Sequence, residues 1–187
     1  MSLKTAAPPA ARTADQDEGA ARFGRALIAE TKRRLFHDSQ PRVHKCLARL
    51  SEEEIWLRPN AETVSIGNLV LHLCGNVRQN ILSGLGGAAD RRQRALEFSE
   101  PGPIPAAELL RRLDEVLAEV DAALDRLDPA SLLEVRRVQG FEESGVSILV
   151  HVVEHFSYHV GQMTYFVKSR QGVDMKYYDG FDLNVTS

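Results

Sequence analysis

Cysteine is scarce: Cys46 and Cys74 are the only two in 187 residues. Two thiols are too few for a disulfide scaffold, and in a reducing compartment they read as buried thiols. Long apolar runs are missing as well. No stretch approaches the roughly 20 uninterrupted apolar residues that span a bilayer, and the N-terminus lacks a basic-then-apolar signal pattern, so a cytoplasmic location and no membrane partner are expected. Neither sign of charge dominates, with 23 Lys and Arg against 26 Asp and Glu, a net charge of −3 and a pI near 6.1. Phosphate binding wants a basic face, so nucleic acid is not expected as the partner. No internal repeat recurs at a fixed period, and no convincing strand is visible. Only Val135 to Val138 reads as a stray extended piece.

What remains is helical. Residues 1–19 are rich in Ala, Pro, Thr and charge, hold no large apolar side chain after Leu3, and read as a disordered lead-in. Residues 20–187 are long enough for one domain with a sizeable core. From Ala20 the residues Phe23, Leu27, Ile28, Thr31 and Leu35 recur at helical steps, and Pro41 is expected to interrupt near Gln40. A shorter helix over Val43 to Leu50 precedes Ser51, whose partner three positions on, Glu54, completes a capping-box pattern. A second long helix opens at Ser65 and runs to about Leu82, where Ser83 and Gly84 break it. Residues 84–104, with the charged run Asp90 to Arg94, read as a long surface connection. A third helix spans about Pro105 to Leu127 on a stripe from Leu109 to Leu127, and a fourth runs from about Ser144 to Ser169. The tail from Gly172, with Tyr177, Tyr178 and Phe181, reads as docking back. Four long amphipathic segments predict an all-α bundle.

The chemistry concentrates on the fourth helix, in His151-Val-Val-Glu-His155-Phe-Ser-Tyr-His159-Val-Gly-Gln162. Positions four apart differ by about 40° around a helix, so the three histidines share one strip. Ile148, Gln162 and Phe166 extend that strip, which points it inward. Three inward imidazoles need partners, and a divalent ion is an economical one. His151 and His159 lie roughly 12 Å apart, too far to share one ion. The ion therefore takes either His151 with His155 or His155 with His159, and spacing does not choose.

Two further patterns bear on that choice. His151 to His155 has the H-x-x-E-H form of inverted zinc peptidases with Glu154 as base, although such enzymes need a much larger chain. The helix opening at Ser65 instead aligns Ser65, Asn68, His72, Asn76 and Gln79 opposite an apolar face, as a third ligand flanked by amides would look. His37 and His44, set among charges, read as solvated.

The segment Ser65-Ile-Gly-Asn-Leu-Val-Leu-His72-Leu-Cys-Gly-Asn76, taken with His151 to Gln162, resembles the DinB-like superfamily over about Phe23 to Tyr178. The resemblance implies an antiparallel four-helix bundle with one long crossover and a divalent ion held by His72, His155 and His159. It leaves His151, with Asn68, Asn76 and Gln79, to support the ligands or bind substrate. Val160 departs from the usual threonine before Gly-Gln. Relatives include thiol-dependent transferases, an isomerase and metal-dependent hydrolases, and often form dimers.

The expectation is accordingly a metal-binding protein acting on a small molecule, with a low-molecular-weight thiol as one candidate. Zinc or nickel suits all-imidazole ligation. No catalytic base is identified; Tyr177 and Tyr178 of the tail are the candidates. The alternative is a non-catalytic stress or interaction module with a structural ion.

Overall fold

The computed structural model describes residues 14–186, so most of the expected lead-in lies outside the described residues. Helix α1 (Ala14–Lys32) begins ahead of the expected Ala20. Its buried row is Gly24, Ile28 and Thr31, continued by Leu35 just beyond its end, whereas Phe23 is 54% exposed. Gly24 takes the inward place because the Pro129 backbone lies against it, leaving no room for a Cβ.

Pro41 does not interrupt this helix. A π-helical segment, Arg33–Ser39, carries α1 into α2 (Gln40–Leu47), whose first turn holds the proline. Proline removes a donor and crowds the carbonyl four residues back; the wider π turn just ahead shifts the hydrogen-bond register and absorbs that conflict.

The capping box at Ser51 is present at the start of α3 (Glu52–Trp56): Glu54 N donates to Ser51 Oγ at 3.2 Å and Ser51 N donates to Glu54 Oε2 at 3.0 Å. Helix α4 (Ile66–Val77) opens on a second one, formed by Ser65 and Asn68. It passes through the expected break at Ser83 and Gly84 as a π-helical segment, Arg78–Leu85. The connection beyond carries a short helix, α5 (Arg94–Ser99). Helix α6 (Ala106–Arg126) buries Leu109, Leu113, Val116, Leu117, Val120 and Leu124, the stripe its periodicity predicts.

A 3-10 turn, Pro129–Leu133, leads into β1 (Val135–Val138) and β2 (Phe141–Ser144). The strands are antiparallel, with Val135 opposite Ser144 and Val138 opposite Phe141. The fold is thus mostly helical with one small sheet, which corrects the purely α expectation. Gln139 and Gly140 make the tight turn at φ 53° and 86°, the positive pair that a two-residue hairpin loop requires. Ser144 then caps α7 (Gly145–Gln171) through a bond from Ser147 N.

Helix α4 packs on α6, while α7 packs on α1, α2 and α4. Phe156, Leu73, Leu113, Leu117, Ile148 and Met163, all fully buried, fill the centre. Truncating a core aromatic such as Phe156 costs about 3–5 kcal/mol. The tail docks through buried Met175 and half-buried Tyr177, with Phe181 74% exposed. No helix among the described residues is long and apolar enough to cross a membrane.

Candidate metal centre

The buried face of α7 is centred on Val152, Phe156 and Met163, so the histidine strip runs along its edge. His151 is exposed, His155 half-buried and His159 buried. The strip faces α4 there. His72 Nε2 lies 3.0 Å from His155 Nε2, and His159 Nε2 lies 3.2 Å from that same atom. One ligating atom from each of the three residues falls within 4.8 Å of the others, so the group could hold a metal ion.

The outer nitrogens fix what the inner ones present. His159 Nδ1 is 2.7 Å from Gln162 Oε1, and His72 Nδ1 is 2.8 Å from Glu97 Oε2. Arg92 Nη2 also comes 3.1 Å from His72 Nδ1, but the carboxylate oxygen is closer; with an acceptor nearest each Nδ1, the proton belongs there and both Nε2 atoms present lone pairs. His155 Nε2 can donate one proton to one of them at most. At least one N···N approach is therefore lone pair against lone pair, and His155 Nδ1 is buried without a partner. A cation removes that conflict. At metal–nitrogen bonds of about 2.0–2.1 Å, two ligands subtending right-angled to tetrahedral angles sit about 2.9–3.4 Å apart, which brackets both separations.

Electrostatics agree. Burial, together with the positive potential of His159, His72, His151 and Arg92, pushes His155 down to about 3. Burial also lowers His159, against the opposing effect of its hydrogen bond to Gln162 Oε1. Both rings stay neutral at neutral pH, as metal ligation requires.

The connection read as solvent-facing supplies residues that sequence reasoning missed. Arg92, with 4% of its side chain exposed, grips Glu97 twice, Nε to Oε1 at 2.7 Å and Nη2 to Oε2 at 2.8 Å. Burial alone would raise the Glu97 carboxyl, but hydrogen bonds from Arg92 and His72 hold it below its ordinary value. Phe98 lays its ring 4.6 Å from that of His72. Gly75, a glycine inside an otherwise strong helix one turn after His72, marks a close approach without saying which residues make it. A Cβ there would collide with Glu97 Oε1 and come within 3.0 Å of Arg92 Nε.

The other expected site residues are placed differently. Asn68 is spent on structure: Oδ1 accepts from Ser65 and Arg58, and Nδ2 donates to the Glu97 and Glu100 carbonyls at 2.9 Å each. Gln79 accepts from Arg92 and Gln139 and donates to Asp90, so it anchors the connection. Asn76 Nδ2 meets His151 Nε2 at 3.5 Å, and its Oδ1 is buried and unpartnered. His151 stands beside His155, ring centroids 5.4 Å apart, and Glu154 is exposed, so the H-x-x-E-H pairing is not the one gathered around His72. Tyr177 bonds Thr164 at 2.8 Å and approaches the buried Cys46 thiol at 3.4 Å; burial and that thiol push it up to about 12. Tyr178 accepts from Arg42. Neither tyrosine is engaged with the histidines. His44 is paired, its Nε2 2.7 Å from Asp114 Oδ1.

A groove of about 660 Å³ opens beside the centre, walled by Ile66, Leu69, Tyr158, Tyr165 and Phe166, with Gln162 on its rim.

A mostly helical domain with histidines from two helices converging in this way has the fold of a DinB-like protein of known structure. The chain is similar in shape to the crystal structure of a DinB-like protein from Bacillus cereus, with a TM-score of 0.58 and 19% identity, over 75% of this chain and 90% of that one. It matches the family described as protein of unknown function (DUF1572) over residues 23–178, and belongs to that family. No curated protein matches it in sequence.

Proposed function

We propose that the protein is a divalent-metal enzyme in which His72, His155 and His159 hold one zinc or nickel ion and a small molecule is the substrate. The observation that carries this reading is the meeting of three Nε2 atoms with two of their rings locked as acceptors. Three protein ligands suit a catalytic centre, since structural zinc is usually closed by four. The bound ion supplies a Lewis acid that makes a water or a thiol nucleophilic at neutral pH. The two reaction classes that fit are hydrolysis and transfer to a low-molecular-weight thiol.

The chain's own residues do the rest. Gln162 and Glu97 hold two rings in register, and the half-buried edge of His155 keeps the centre reachable from solvent. The groove takes the apolar part of the substrate. Gly161 supports this: it sits inside α7 where a Cβ would meet nothing within 4 Å, so no contact within the chain explains a residue that costs about 1 kcal/mol against alanine. A ligand lying close against the helix does explain it. We read the long helices as an antiparallel four-helix bundle whose crossover is the 84–104 connection, working in the cytoplasm as a homodimer.

The test is metal content by mass spectrometry, with His72→Ala, His155→Ala and His151→Ala beside the wild type. One equivalent in the wild type and in His151→Ala, lost in the other two, is expected. Undiminished metal in His72→Ala refutes the ligand set.

A further inference from the structure

We infer that Glu97, clamped by Arg92, is a positioning residue that fixes which nitrogen of His72 faces the metal. This rests on the metal reading above. His72 and His159 are oriented by different means. His159 uses the neutral amide of Gln162, an exposed neighbour on its own helix. His72 uses a carboxylate with 10% of its side chain exposed, delivered from 25 residues further along the chain.

That carboxylate is held at both oxygens. Oε1 accepts from Arg92 Nε, and Oε2 accepts from both Arg92 Nη2 and the His72 ring, whose Nδ1 lies 2.8 Å from Oε2 and 3.1 Å from Arg92 Nη2. Arg92 is in turn fixed by Gln79, which accepts from Nη1 at 2.9 Å. Asn68 pins the Glu97 backbone through its carbonyl. Gly75 clears the path.

Four residues are thus arranged around one contact, Oε2 to His72 Nδ1. The contact does two things chemically. It puts the ring proton on Nδ1, so Nε2 offers its lone pair inward, and it adds electron density to the ring, which makes that nitrogen a stronger donor to a cation. Partners of this kind on ligating histidines typically contribute 10–100-fold in metal affinity.

Two substitutions separate positioning from mere packing. Glu97→Gln keeps the shape and removes the charge. Glu97→Asp keeps the charge for Arg92 but withdraws the carboxylate from His72 by one methylene. Zinc affinity by chelator competition and the His72 ring 15N shifts of metal-free protein are measured for each, with melting temperature as the check on folding.

Both variants are expected to bind zinc about 10–100-fold more weakly, and Glu97→Asp to lose the single Nδ1–H form of His72 while melting close to the wild type. If either folded variant binds zinc within twofold of the wild type and His72 keeps its Nδ1 proton, the inference is overturned. If the wild type takes up no zinc, the metal reading fails, while the 15N shifts still decide whether Glu97 sets the ring.

Discussion

Replacing Gly75 with alanine should destabilise this protein, against the usual rule for helices. In a helix interior Gly→Ala ordinarily stabilises by about 1 kcal/mol. Here the new methyl falls on Glu97 Oε1, whose side chain is nine-tenths buried and held from both sides. Glu97 must retreat. One charge-assisted hydrogen bond lost costs about 1.5–3 kcal/mol, and Arg92, itself buried, is left with a weaker partner, which moves the loss toward the 3–5 kcal/mol typical of a broken buried pair. After the helical gain is subtracted, the net is a loss of about 2–3 kcal/mol. For a chain of this size that lowers Tm by about 4–12 °C. Thermal unfolding followed by circular dichroism measures it. A Gly75→Ala protein that melts at or above the wild type would refute the claim that this glycine exists to admit Glu97.

Gly161→Ala is the counterpart: with open space around it, it should stabilise by about 1 kcal/mol and raise the melting temperature, and a fall would mean that something within the fold needs the gap. Acid should weaken the metal-free fold. His155 is held at about 3 and His159 below its ordinary 6.5 in the folded state, so the unfolded chain takes up protons that the folded one refuses; stability is fullest above 6.5 and declines as pH falls from there toward 3. Urea midpoints at pH 7 and pH 5 test this, and an unchanged midpoint counts against it. Removing the ion with a chelator should lower Tm by about 5–10 °C, the equivalent of about 2.7 kcal/mol for an ion at a hundred times its Kd, and leave a cooperatively folded protein. Outright unfolding would favour a structural ion.

The elements with strong periodicity were legible before any coordinates. The α6 stripe, the Ser51 cap and the histidine strip of α7 follow from residue spacing, because each concerns neighbours within a few turns of one helix. A polar strip on an otherwise apolar helix suggests His72 as a third ligand, while the choice of His155 and His159 as its partners comes from the family resemblance alone. Arg92, Glu97 and Phe98 were not legible: they approach His72 across a connection of no period, and a charged run normally marks solvent. Nor does periodicity foretell that Pro41 can be carried through by a π turn, or that Gly24 rather than Phe23 faces inward, since both depend on what packs from elsewhere.

Trp56 is the sole tryptophan, and its indole lies between Gly67 of α4 and Gly102 of the connection, so close that a methyl on either would overlap it; its Nε1 donates to the Ile104 carbonyl at 3.0 Å. Nature has therefore installed a single fluorophore at the joint where the connection seats on α4. Its emission wavelength and its quenching by acrylamide will report, without any label, whether that joint is shut or sprung.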